Sequence, residues 1–412
     1  MTFKGQLAAS LKAVNLRRSG QRASKLQVVV AFVLTLHIAL PIAYFIVLVQ
    51  HGPVQNDWAH LKRVADHFVA GDTARLYDVG PGGLHPDYFW RYPPFDLYVI
   101  APLAWLSPIQ AYLILAGLGI AGWVYGCIRL RRLLTAENDL QYPIMWFSAI
   151  ALSAPVLSTA VTGQSGGLLV LLLVAALTRF VEGRRIAGWL LLGLLALKPN
   201  WGIFFGVYAL FRREYLGAAS VLFVTLLLCV ASLPLGESLW HDFFANALSS
   251  FQSTSVNYPY YKLASLKGWL NSLFGDSGTT VWIPCVCALV WVAAKVWRGP
   301  ASEQRKFSAA VLLLVAANPY FFFYDALVLL IPASVWWAER RHLRPWANKA
   351  IGSGITIVWL WEHAATSWPP VIPILEDFGD LPFSLVGPLC CMWLAIEGVH
   401  ANIGRAVRPE ST

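Results

Sequence analysis

Charge is scarce in this sequence: 13% of its 412 residues are Asp, Glu, Lys or Arg, about half the share of a soluble domain. That shortage excludes an ordinary water-soluble fold. Acidic residues are scarcer than basic ones, 22 against 31, which leaves a net charge of +9. A basic surface for nucleic acid does not follow, because the cations sit in short clusters between apolar runs, as membrane-orientation signals do. The six cysteines, Cys127, Cys229, Cys285, Cys287, Cys390 and Cys391, lie within or beside apolar runs. None has a partner in a polar loop, so neither a disulfide framework nor a zinc site is expected. Cys285 and Cys287 read as packing residues of one helix. No Gly-x-Ser-x-Gly, no dinucleotide-binding glycine fingerprint, no internal repeat and no low-complexity segment occurs. Thr162-Gly163-Gln164-Ser165-Gly166 is not a phosphate-binding P-loop, since no Gly-Lys-Ser/Thr follows at the required spacing.

Apolar residues make up 57% of the chain, and the mean hydropathy is +0.57. The runs are continuous rather than alternating, so helices and not barrel strands are the expected spanning elements. Twelve segments stand out: 26–49, 108–128, 143–162, 166–181, 186–197, 201–211, 216–235, 279–297, 307–317, 326–338, 350–362 and 383–400. The first is too long for a signal-peptide core, lacks a cleavage site and reads as a retained anchor. The expected fold is thus an all-α polytopic membrane protein of about twelve helices. Residues 1–25 form a cytoplasmic N-terminal segment, 26–400 a single transmembrane domain and 401–412 a cytoplasmic tail.

The pairs of short segments around Lys198-Pro199 and Asn318-Pro319 read either as hairpins or as single kinked helices. Charge favours hairpins. With a reversal at each site, 24 of the 31 basic residues fall on one side, which the positive-inside rule makes cytoplasmic. The other side keeps Lys62, Arg63, Arg75, Arg91, Lys198, Lys262 and Lys267. Its long loops are 50–107, 236–278 and 363–382. Within the first, Trp58, Leu61, Val64, Ala65, Phe68 and Val69 recur at helical spacing, which predicts an amphipathic helix over 57–70 lying on the membrane surface. Residues 95–106 are apolar but too short to span, and are expected to dip into the bilayer edge. The second loop is rich in aromatics, which suits an interface or a substrate lining.

Five polar groups on that side have chemical potential. Asp57, beside Trp58 at the membrane boundary, suits a general base of raised pKa or a helix N-cap. Lys198 suits a phosphate contact or a cation snorkelling to the headgroups. Gln164 in its glycine turn suits a sugar hydroxyl or a plain helix connection. Asn318, Tyr320, Tyr324 and Asp325 place an amide, two phenols and a carboxylate at one turn, where Asp325 also fits a helix N-cap. Arg91-Tyr92-Pro93-Pro94, with His85, Asp87 and Asp96 nearby, offers a second phosphate contact or a solvated loop charge. His60 and His67 share a helix face without a third ligand, so no metal site is expected.

The order of these pieces resembles the GT-C superfamily of polytopic glycosyltransferases, and more narrowly glycosyltransferase family 87. The matching marks are Asp57 with Leu76-Tyr77, Phe89-Trp90-Arg91-Tyr92-Pro93-Pro94-Phe95, Gly163-Gln164-Ser165-Gly166, Ala187-Gly188 through Gly193, Leu197-Lys198-Pro199 and Arg212-Arg213. They cover roughly residues 40–215. Many members carry Ser-Pro, then Trp and paired His, where this chain has Asn318-Pro319 and Tyr324-Asp325; there it departs from the pattern. The resemblance implies a GT-C-like bundle and transfer of a sugar, mannose by family default, from a polyprenyl-phosphate donor to a glycolipid or glycan acceptor, with inversion and without metal or cofactor. The site would face away from the cytoplasm, in a bacterial inner membrane. Asp57 would be the catalytic base. Lys198, Arg91 and Lys262 would meet the donor phosphate, and Gln164, Asn200, Tyr92, His85, Asn318, Tyr324 and Asp325 would hold sugar or acceptor. A lipid-linked glycan flippase and an O-antigen ligase or polymerase are the competing classes.

Overall fold

The computed structural model describes residues 57–73, 76–77, 90, 92–134, 156, 159, 163–252, 263–340, 343–367 and 385–406. The expected span over 26–49, most of 143–162 and both termini lie outside these. Among the described residues the protein is all-helical. Its one β feature is an isolated antiparallel bridge between Leu263 and Phe322. In chain order the helices are α1 (Asp57–Val69), α2 (Asp96–Ile100, prolonged by a 3-10 turn, Ala101–Trp105), α3 (Pro108–Leu134), α4 (Gly166–Val181), α5 (Arg185–Gly193, prolonged by Leu194–Leu197) and α6 (Pro199–Phe211). There follow α7 (Tyr215–Ser232), α8 (Glu237–Gln252), α9 (Leu266–Phe274), α10 (Ser277–Arg298), α11 (Glu303–Ala317), a 3-10 segment (Phe323–Leu329), α12 (Leu330–Glu339), α13 (Pro345–Ser367) and α14 (Val386–Ala406).

Three stretches, Pro108–Leu134, Tyr215–Leu235 and Ser277–Arg298, are long and apolar enough to cross a bilayer. On α7, Leu216, Leu222, Phe223, Leu226, Leu227 and Val230 are each more than half exposed. An apolar face of that extent calls for lipid and not water. This is a membrane protein.

Helix α11 is the axis of the bundle. Every residue from Phe307 to Ala316 is buried, as expected of a helix that is apolar all round. It packs against α4, α9, α10, α12 and α14. Helices α3 and α4 run parallel and close because glycines line their seam. A Cβ on Gly122 would stand 2.9 Å from the Gly167 carbonyl oxygen, and one on Gly126 would stand 2.9 Å from Val170. Small residues permit such approach where lipid supplies no hydrophobic drive.

Charges fix which way the short helices run. Arg185, at the start of α5, forms an ion pair with Glu214, just beyond α6. Arg212 bonds both Glu214 at 2.7 Å and Glu303, the first residue of α11, at 2.8 Å. Helices α5 and α6 therefore form a hairpin with Lys198 at its tip. The same logic holds for α11 and α12. Arg305 near the start of α11 pairs with Glu339 at the end of α12 at 3.5 Å, and Ser302 donates to the same carboxylate at 3.2 Å. That hairpin turns at Asn318. Each hairpin thus has a charged, ion-paired base and a tip carrying polar side chains.

The structure corrects one expectation in the first loop. Much of the apolar face of α1 packs on protein, while Val69 at its end stays exposed. Val64 and Ala65 are fully buried in a cluster with Tyr77, Trp90, Leu97 and Leu103, while Trp58 packs on Tyr112 with ring centroids 5.6 Å apart. Burying this face against neighbouring loop residues satisfies it as well as a bilayer would. Helix α2 does keep an apolar outer face, with Val99 and Trp105 exposed.

Candidate active site at the joined hairpin tips

The local sequence builds each tip. Pro199 occupies the first helical position of α6, where its missing N–H costs nothing, and Lys198 stands before it in extended conformation. A residue preceding proline is pushed out of the helical region, so the chain must turn at Lys198. At the second tip Asn318 is likewise extended, and its Oδ1 accepts the Tyr320 N–H at 3.0 Å.

The two tips are bonded to each other. Lys198 Nζ donates to Asp325 Oδ1 at 2.6 Å, and Asn200 Nδ2 donates to Asn318 Oδ1 at 2.7 Å. The Lys198 ammonium also lies 5.6 Å from the Trp201 ring centroid and 5.7 Å from that of Tyr324. Lys198 is only 9% exposed and Asp325 only 2%. Snorkelling is thereby overturned for Lys198, whose stem and ammonium point into the protein. Capping is overturned for Asp325. It stands inside the 3-10 segment, whose cap position is Phe322 with no side-chain cap bond. Its carboxylate is spent on the lysine instead.

The glycine turn joins this centre to α1. Gly163 has φ +65°, and a Cβ there would lie 2.8 Å from Trp58 Cβ. Gly166 faces the opposite way, with space for a Cβ only 3.0 Å from the Tyr324 carbonyl oxygen. Buried Thr159 donates its hydroxyl to that same carbonyl at 3.4 Å. Gln164 is buried between, and its N–H bonds Thr159 O at 3.2 Å. Trp58, next to Asp57, and Tyr324, next to Asp325, are therefore held on two sides of one turn. The end of the second large loop is tied in as well, since the Ala264 N–H bonds Phe321 O at 2.7 Å.

Asp57 is the first residue of α1; its side chain lies outside the described residues, as do Arg91, His85 and Lys262 altogether. Tyr92 is described: its carbonyl accepts the Tyr77 hydroxyl at 2.8 Å, and its ring packs on Trp90 at 5.0 Å. Of the expected residues, the structure brings together Lys198, Asn200, Gln164, Asn318, Tyr324 and Asp325.

Sequence reasoning underrated two residues. Asp96 is 7% exposed, and its Oδ1 meets no hydrogen-bond donor among the described residues. Burial pushes its carboxyl well above the usual range, against the opposing pull of the Lys198 charge. It held only a passing place beside Arg91, because nothing local marks an acid for burial. Lys267 lies 5.6 Å from the Tyr320 ring centroid at the second tip, and burial lowers its pKa.

A buried ammonium, paired with one carboxylate and set beside amides and phenols, can bind a phosphate or a polyhydroxy group and stabilise negative charge developing on a leaving oxygen. No curated protein and no solved structure matches the chain. The family model for glycosyltransferase family 87 matches residues 90–323, a stretch that runs from Trp90 through the first hairpin to the tip of the second and contains Asp96, Gln164, Lys198, Asn200 and Asn318. The chain belongs to glycosyltransferase family 87.

Proposed function

We propose that this glycosyltransferase takes its sugar, mannose in the first instance, from a polyprenyl-phosphate donor and passes it with inversion to a lipid-linked or envelope glycan. The observation that carries the reading is the buried lysine at the joined tips. The α5 and α6 arms are each about 20 Å long at 1.5 Å per residue. With their ion-paired bases at the cytoplasmic interface, the tips reach about two thirds of the way through a hydrocarbon core of roughly 30 Å. A phosphate bonded there keeps its isoprenoid tail in lipid while its sugar points to the outer side. Free nucleotide sugars would have no comparable reason to be met at that depth.

In this mechanism Asp57 removes the proton of the acceptor hydroxyl. The oxygen attacks the anomeric carbon from the face opposite the phosphate, and the bond from that carbon to the phosphate oxygen breaks. Polyprenyl phosphate leaves, its charge met by Lys198 together with Arg91 and Lys262. Gln164, Asn200, Tyr92, His85, Asn318, Tyr324 and Asp325 hold the sugar and acceptor hydroxyls. The setting is a GT-C-type bundle of about twelve spans in a bacterial inner membrane, with both termini cytoplasmic and loops 50–107, 236–278 and 363–382 outside.

The test is transfer from a radiolabelled polyprenyl-phosphate sugar by the purified protein in lipid nanodiscs. Wild type should release polyprenyl phosphate and label an acceptor. Asp57→Asn should be slower by about 10²- to 10⁴-fold, the range for loss of a general base. Transfer undiminished in that variant would remove Asp57 from the mechanism, and a flippase would move the donor without breaking it.

A further inference from the structure

Asp96 is a buried acid that the proposed chemistry leaves without a task. Its backbone role is complete: its N–H bonds Pro93 O at 3.0 Å and it begins α2. Its side chain caps nothing, because the cap position Phe95 carries no side-chain bond and Asp96 Oδ1 has no donor among the described residues. It is not a surface acid, at 7% exposure. It does not neutralise Lys198, whose ammonium bonds Asp325 Oδ1. Unsatisfied buried polar atoms cost free energy, and a leucine here would extend the buried set formed by Leu97, Ile100 and Leu103. Among the described residues no donor reaches this oxygen, which leaves it open to a bound ligand.

Charge indicates what that partner is. Asp96 lies within electrostatic reach of both Lys198 and the Tyr77 phenol. An ionised acid at this place would repel an approaching phosphate and cancel part of the lysine's attraction. A carboxyl that keeps its proton has the opposite effect, because it is a strong O–H donor to an anionic oxygen. Its burial beside a lysine already held by Asp325 fits the second state.

Resting on the polyprenyl-phosphate reading above, we propose that Asp96 contacts the donor directly, its carboxyl donating a hydrogen bond to a phosphate oxygen that Lys198 also holds. Asp96 is then a determinant of donor affinity, contributed by the first loop, and it completes a phosphate site whose other members come from the two hairpin tips.

Two measurements on purified protein in nanodiscs decide this. The first is the thermal stabilisation produced by polyprenyl phosphate alone. The second is the KM for the labelled donor and, separately, for the acceptor. Asp96→Leu, which has no donor, should weaken polyprenyl-phosphate binding and raise the donor KM by tens of fold, with the acceptor KM within twofold of wild type. Asp96→Asn keeps an N–H donor, so its donor KM should rise only a few fold. If wild type binds polyprenyl phosphate and Asp96→Leu binds it equally well, the Asp96 proposal fails and the donor reading stands. If wild type itself gains no stability from polyprenyl phosphate, the donor reading falls and takes this proposal with it. Should Asp96→Leu not fold, the asparagine variant still decides. A rise of tens of fold in its donor KM, or an equal rise in both KM values, would overturn an O–H donor role.

Discussion

Lys198 and Asp325 are 127 residues apart in sequence, yet their side chains meet at 2.6 Å with almost no exposure to solvent. Removing one partner of such a pair strands the other charge, at a cost of about 3–5 kcal/mol. Lys198→Met or Asp325→Leu alone should therefore lower the melting temperature sharply. The double variant Lys198→Met/Asp325→Leu should recover most of that stability, since an apolar replacement of a whole buried pair is often neutral. It should recover no transfer activity. Differential scanning fluorimetry and the transfer assay together check this, and a double variant as unstable as either single one would contradict it.

Gly163 couples two parts of the site through backbone geometry. Alanine there meets a left-handed φ of +65° and a Cβ position 2.8 Å from Trp58. The strain and the overpacking each cost about 1–2 kcal/mol. Gly163→Ala should lose that stability and also slow turnover, because Trp58 must shift next to Asp57. Gly183→Ala, also at positive φ but with open space around it, should lose stability without the loss of turnover. Melting curves and kcat for both variants give the comparison.

The ion-paired base of the first hairpin should make stability depend on acid. Burial pushes the Glu214 carboxyl up, but the Arg185 hydrogen bond, the Arg212 charge and the Trp189 indole N–H outweigh it and hold it below its ordinary 4.5. A carboxyl depressed on folding stabilises the protein above its unfolded pKa, and that contribution is lost as pH falls through the folded value. Between pH 7 and pH 5 the melting temperature should change little on this account, and it should fall below about pH 4.5. Glu214→Gln should be less stable at pH 7 and show a shallower acid decline. An identical decline in the variant would assign the acid sensitivity elsewhere.

Sidedness is open to labelling. Asp276 is exposed between α9 and α10 at the tip end of the molecule, and Arg184 is exposed at the paired base. With the wild-type chain as background, an impermeant maleimide on intact cells should label Asp276→Cys. It should reach Arg184→Cys only after permeabilisation. The reverse pattern would invert the proposed orientation.

The sequence made some of this legible and hid the rest, for physical reasons. The α1 boundary, the turn at Lys198-Pro199 and the glycine turn are local matters of propensity and backbone freedom, and each is readable within a few residues. The charge asymmetry favoured hairpins, and the Arg185–Glu214 and Arg305–Glu339 pairs show the reversals directly. The partner of Lys198 was not legible, because a contact across 127 residues is set by packing. Asp325 looked like a helix cap by its position before an apolar run; the 3-10 segment begins two residues earlier and frees its carboxylate for the lysine. Against the dozen expected spans, three helices among the described residues are long and apolar enough alone. Paired short arms such as α5 and α6 carry weaker signals, and part of the chain lies outside the described residues.

The apolar run of α11 has a consequence beyond packing. From Ala309 to Ala316 it sets eight side chains, all of them buried and none of them polar, between the joined tips and the ion-paired bases. Along this helix a proton released at the tips finds no relay toward the opposite compartment. On the polyprenyl-phosphate reading, the proton freed by each sugar transfer leaves by a route other than this helix.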